Sequence, residues 1–159
     1  MLTAVDHVQL AAPPGSEDAL RAFYAGVLGM TEVPKPPALA ARGGCWFRAG
    51  TVRLHLGVEE DFRPARKAHP GLRVTGTEAY AARLAARGAK VAWDDGLPGH
   101  RRFYSEDPVG NRLEFLEPAG SPAREIGEDG ADREDGEDGE DGAGAARPHG
   151  HLNGPRTDA

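Results

Sequence analysis

The 159-residue sequence is short of several features that would each mark a class of protein. It has a single cysteine, Cys45, so no intramolecular disulfide can form and a disulfide-stapled scaffold is excluded. No apolar run approaches the roughly 20 residues needed to cross a bilayer, so no membrane partner is expected. The opening residues show no basic stretch followed by an apolar run, so no secretory signal is read and a cytoplasmic protein is expected. Concentrated positive charge is missing too. Arg124 to Ala159 holds eleven acids against four arginines, which leaves 15 basic and 14 acidic residues for the rest of the chain. A near-neutral body has no Lys/Arg face able to displace the counterions of a nucleic acid, so that partner is excluded.

What is present divides at Pro118. Beyond it the sequence turns to Gly, Ala, Glu, Asp and Pro, with Glu-Asp-Gly recurring at Glu128 to Gly130, Glu134 to Gly136, Glu137 to Gly139 and Glu140 to Gly142. Such a segment has almost nothing apolar to bury and cannot offset its ordering entropy, so residues 119–159 are expected to form a disordered acidic tail. Residues 1–118 are then one domain.

That domain reads as two similar halves, each a strand, a helix and three further strands. In the first half Val5 to Ala11 alternates, and after Ser16 the residues Leu20, Phe23, Tyr24, Val27 and Leu28 recur at helical spacing. Ser16 is the expected N-cap and Gly29 the left-handed C-terminal residue. Strands are expected at Met30 to Val33, Cys45 to Ala49 and Thr51 to Val58. The second half repeats the order: Gly71 to Val74, a helix from Glu78 to Arg87 capped by Thr77 and ended by Gly88, then Lys90 to Trp93, Arg102 to Ser105 and Arg112 to Glu117. Asp107 to Asn111 is a turn joining the last two strands. The expected class is α+β, with paired βαβββ modules forming an open cup-shaped mixed sheet and the helices on its outer face.

Alternation along strands then sorts side chains by face. Val8 and Leu10, Leu54 and Leu56, and Leu113 and Phe115 share the side the helices cover. His7 and Gln9, Arg53 and His55, and Arg112 and Glu114 share the other, which reads as the wall of a polar site. Imidazole and carboxylate groups gathered on one face are the ligands that divalent first-row metals prefer, and His7, His55, His69 and Glu114 are the candidates.

Three stretches in order carry a resemblance. Asp6-His7-Val8-Gln9-Leu10-Ala11, the helix from Arg21-Ala22-Phe23-Tyr24 through Val27-Leu28-Gly29-Met30, and Asp107-Pro108-Val109-Gly110-Asn111-Arg112-Leu113-Glu114-Phe115 together resemble the glyoxalase/bleomycin-resistance/dioxygenase family, also called vicinal oxygen chelate. The resemblance covers residues 2 to 118. It implies one divalent metal ion per site (Fe, Mn, Ni, Co or Zn), with His7 as the first-strand ligand, His69 as the histidine opening the second half, Glu114 as the last-strand carboxylate and His55 as a fourth ligand. It also implies a homodimer whose sites each take the first-strand histidine from one subunit and the other ligands from its partner.

The function implied is metal-dependent catalysis on a small vicinally oxygenated substrate. Three protein ligands would leave room for substrate and dioxygen, as in extradiol dioxygenases of the family; four would leave two sites, enough to chelate a substrate, and the glyoxalase-like lyase or isomerase is the favoured reading. Glu114, as a ligand able to leave the metal, or Tyr104 would act as base. Gln9, Arg53, Trp46, Arg102 and Arg112 are the expected substrate-binding residues, the arginines as donors to a carboxylate or phosphate. A fosfomycin-resistance-like transferase is disfavoured by Asp94 and Asp95, which stand where that branch carries a basic residue. From another class, a metal-free drug-binding protein of the bleomycin-resistance kind is the alternative.

Overall fold

The computed structural model describes residues 1–120; the acidic Glu-Asp-Gly tail lies outside the described residues. The first half runs β1 (Val8–Ala12), α1 (Glu17–Arg21), β2 (Thr31–Val33), a short α2 (Pro37–Ala40), β3 (Cys45–Ala49) and β4 (Val52–Val58). The second runs β5 (Gly71–Arg73), α3 (Thr77–Ala86), β6 (Ala92–Trp93), β7 (His100–Glu106) and β8 (Arg112–Pro118). The α+β class and the doubled βαβββ plan are therefore observed, with α2 as an addition. Each half forms its own four-stranded mixed sheet, ordered β1-β4-β3-β2 and β5-β8-β7-β6. In each, the first strand lies parallel to the last, and the remaining pairs are antiparallel.

The helices stop as expected at left-handed Gly29 and Gly88 but start differently from the expected caps. Ser16 precedes α1, but its hydroxyl donates to the Pro13 carbonyl at 2.7 Å and caps nothing. After Arg21 the helix widens into a π-helical stretch, Ala22–Val27, closed by Leu28 N–H donating to Phe23 O at 2.9 Å and released by Gly29 at φ 77°. Thr77 is the first residue of α3 and not its cap; Gly76, at φ 67°, holds the cap position. The capping acceptor comes from β8, where the Glu117 carboxylate receives the backbone N–H groups of Gly76 and Thr77 at 3.2 and 3.0 Å and the Thr77 hydroxyl at 2.9 Å.

Strand alternation sets the core. Phe47, Leu54, Leu56, Phe103, Leu113 and Phe115 are buried on the helix-covered sides of the two sheets, joined by Leu20, Phe23, Tyr24 and Leu84 from the helices in a single cluster. The opposite side of each sheet is left to polar residues, as the sequence pattern requires.

Candidate functional site

On the open side of the first sheet, Trp46 of β3 and His55 of β4 are cross-strand partners, and their rings stack with centroids 4.0 Å apart. His7, one residue before β1, stacks on the other face of His55 at 4.2 Å. Its Nδ1 lies 3.0 Å from the Asp6 carboxylate, which also receives Arg53 at 2.9 Å. Asp6 accepts here, so a neutral His7 ring carries its proton on Nδ1 and leaves the Nε2 lone pair available. The hydrogen bond from His7, followed by the charge of Arg53, holds the Asp6 carboxyl below its ordinary value. Burial, then the neighbouring His7, pushes the His55 imidazole down. Gln9, the partner of His55 on β1, lays its amide over Gly57, where a Cβ would come within 2.8 Å of its nitrogen.

The second sheet carries the other group. Tyr104 of β7 and Glu114 of β8 are cross-strand partners, with Gly71 of β5 on the far side of Glu114. One Glu114 oxygen accepts from Arg102 Nη1 at 2.7 Å and from the Tyr104 hydroxyl at 3.4 Å; the other faces His69 Nε2 at 3.2 Å. A Cβ at Gly71 would reach within 3.3 Å of that second oxygen, so glycine keeps the approach open. Arg102 is held in turn by Asp94, at 2.6 Å from Nη2 and 3.0 Å from Nε. Burial alone would raise the Glu114 carboxyl, but Arg102, the strongest opposing influence through its hydrogen bond and its charge, brings it below the ordinary value.

The His69 ring has an informative arrangement. Its Nδ1 lies 2.7 Å from the Lys67 carbonyl oxygen, which accepts only, so the proton of a neutral ring is on Nδ1. Nε2 then points a lone pair at a carboxylate oxygen 3.2 Å away. Two lone pairs facing each other repel unless the ring takes a second proton or a cation lies between them. A nitrogen and an oxygen about 3 Å apart suit neighbouring positions on a first-row cation with bonds of about 2.0–2.2 Å. Histidine ligands also commonly donate their second N–H to a carbonyl or carboxylate, the roles taken here by Lys67 and Asp6. The donor set fits a metal, but only by halves: no three His, Cys, Asp or Glu side chains among the described residues of one chain converge as a metal site would need.

The expected site residues therefore fall into two pairs, His7 with His55 and His69 with Glu114, each on its own sheet. Arg53 and Arg102 are engaged by Asp6 and Asp94, and the ion-pair partner of Glu114 is Arg102, where Arg112 or Arg53 would have been equally compatible with the sequence. Arg112 lies over the Tyr104 ring at 3.8 Å. Asp6, Asp94 and Gly71 escape a reading by residue type, because each acts on a neighbour and not on a ligand. The juxtaposition Asp6-His7 was the one available signal, since an acid beside a candidate ligand can fix its tautomer.

A family model described as a glyoxalase-like domain matches residues 14–116. Among solved structures, a glyoxalase family protein from Bacillus anthracis is 46% identical, with a TM-score of 0.73 over 74% of this chain and 97% of that one. A lactoylglutathione lyase from Agrobacterium tumefaciens is 23% identical, with a TM-score of 0.57 over 72% and 93%. An antibiotic binding protein from a Streptomyces species is likewise 23% identical, at 0.58 over 74% and 100%. No curated protein matches the chain. The last two likenesses speak for the fold alone and show that it carries both an enzyme and a binding protein. With the domain match spanning most of the described residues and two polar faces built on doubled βαβββ modules, the chain belongs to the glyoxalase-like, or vicinal oxygen chelate, family.

Proposed function

We propose that the protein is a homodimeric enzyme dependent on a divalent metal, acting on a small substrate with two neighbouring oxygens, and that its reaction is of the glyoxalase-like lyase or isomerase type. The observation that carries this is His69 Nε2 lying 3.2 Å from a Glu114 oxygen, while His69 Nδ1 is engaged by the Lys67 carbonyl and the other Glu114 oxygen by Arg102. His69 and Glu114 would supply half of the ligands. His7 and His55, adjacent on the other sheet, would supply the rest from a second copy. In support, β1 and β5 each end their sheet, so both ligand pairs lie next to a strand with a free edge among the described residues. Four ligands in two pairs favour substrate chelation over combined substrate and dioxygen binding. When bound, the cation would act as a Lewis acid on the substrate oxygens and stabilise the negative charge that develops there. Tyr104, whose hydroxyl lies 3.4 Å from Glu114, would donate to a substrate oxygen or take a proton.

The second reading, a metal-free binding protein, draws on Arg102, which already neutralises Glu114 within the chain. Metal content of the purified protein separates the two, and subunit mixing tests the shared site. His7→Ala and Glu114→Ala dimers should each lose metal. Co-expressed, they should regain about a quarter of the wild-type metal and activity, because half of randomly paired dimers carry one intact site. No recovery in verified mixed dimers rejects shared sites, and a metal-free wild type favours the binding protein.

A further inference from the structure

A groove with about 370 Å³ of space opens beside the His69 and Glu114 pair, between the loop carrying Pro64 and Arg66 and the open side of β7 and β8. Tyr104 is common to both: its ring lines the groove and its hydroxyl reaches Glu114. The groove's charged lining is Arg66, Lys90, Glu106 and Arg112. Lys90 and Glu106 neutralise each other at 3.0 Å. Among the described residues, Arg66 and Arg112 have no ion pair or hydrogen-bond partner for their side chains; Asp94 and Arg112 interact only through space, so the groove presents two guanidinium groups with their donors unengaged.

Arg112 is the more built of the two. It stands directly across from Glu106 in the β7–β8 register, yet Glu106 pairs with Lys90 and leaves the guanidinium free. Its central carbon lies 3.8 Å over the Tyr104 ring, a cation–π contact that orients it without using its N–H donors. A planar fork held by one face and free along its edges is a ready receptor for a carboxylate or phosphate. The opposite wall is seated rather than loose. Gly110 in the β7–β8 turn has φ 91°, and a Cβ there would come within 3.2 Å of the Pro64 ring, so glycine lets the loop rest on the turn. By contrast, Arg53, Arg101 and Arg102 are each paired with acids.

From this arrangement we infer that the groove seats an anionic group, a carboxylate or a phosphate, on the small molecule handled at His69 and Glu114, with Arg112 as the anchor and Arg66 closing from the loop. The substrate is accordingly a small acid whose anionic end lies one phenol ring away from its reacting oxygens. A neutral ketone or hydrocarbon would draw no charge-assisted hydrogen bond from either arginine. The inference builds on the functional reading above for what happens at Glu114, but the anion seat itself needs no metal.

The test is an NMR titration of the full-length chain, with no metal added, against inorganic phosphate and separately malonate, with sodium chloride at matched ionic strength as the reference. We expect saturable shifts at the Arg112 side chain and Tyr104 amide with at least one of the two anions, and whichever binds names the class. Arg112→Ala should weaken binding tenfold or more and Arg112→Lys by less, while Arg87→Ala, at the exposed end of α3, should change nothing. Shifts that merely track chloride, or binding unaltered by Arg112→Ala in a folded variant, overturn the proposal. Anion binding in a protein that takes up no metal upholds the seat and removes the enzyme reading; metal uptake without anion binding does the reverse.

Discussion

Cys45 shows how burial decides the behaviour of a single side chain. It lies on the covered side of β3 at 1% exposure, and removal from water pushes its thiol up to about 11. At neutral pH only about one molecule in ten thousand would carry the thiolate, the form that reacts. A disulfide-exchange reagent at pH 7 should therefore label Cys45 slowly in the native protein and fast after unfolding in urea, followed by absorbance. Rapid stoichiometric labelling of the native state would show that β3 opens readily. In the sequence Cys45 is the first residue of an apolar Cys-Trp-Phe run, which is consistent with a buried thiol. The pairings among charged residues were not legible there. Arg53, Arg102 and Arg112 are chemically alike in a sequence, and only the β7–β8 register and the placement of Asp94 give Arg102 to Glu114 while leaving the Arg112 donors unengaged.

At the scale of elements, local signals located the helices and strands, and the glycines that end the helices, but not the N-terminal caps. Helical spacing in Leu20, Phe23 and Tyr24 marked α1, and Gly29 ended it with a positive φ as expected. The π-helical widening leaves no trace in residue type. For α3 the cap is Glu117, forty residues downstream of Thr77, so no local motif could have revealed it. The backbone N–H of Thr77, then its hydroxyl, holds the Glu117 carboxyl below its ordinary 4.5. The sign follows directly: a carboxyl with a depressed folded-state value stabilises the fold above 4.5, and that stabilisation is lost as pH falls through the folded value. Glu117→Gln should cost about 1 to 2 kcal/mol at neutral pH by urea unfolding, through the lost acceptor and lost charge at the start of α3. The gap from wild type should narrow as the pH drops below 4.5. A gap that stays constant on acidification would mean that the charge of Glu117 does not contribute.

In the whole molecule, the two halves of the doubled plan must be joined, and the joint was the part least visible in the sequence. Tyr24 and Asp107 are 83 positions apart, yet the buried hydroxyl donates to the carboxylate at 3.0 Å. Asp107 also receives the backbone N–H groups of Val109 and Asn111 and the Asn111 amide, and that same amide donates to Ala11 O at the end of β1. The turn motif Asp107 to Asn111 was legible as a hairpin, whereas its second task, fastening the second sheet to the first helix, depends on packing that alternation does not encode. Burial first, and then the adjacent Asp107, push the Tyr24 hydroxyl up, so it remains a donor across the working pH range. Tyr24→Phe keeps the ring stacked on Phe47 at 5.1 Å and deletes only the hydroxyl. A hydrogen bond to a charged acceptor contributes about 1.5–3 kcal/mol, so the variant should lose that much stability in urea. If the bond couples the halves, the wild type should unfold in one transition and the variant should show a shallower or divided one, read by tryptophan fluorescence against far-UV circular dichroism. A loss under about 0.5 kcal/mol with an unchanged single transition would assign the coupling to the shared apolar cluster instead.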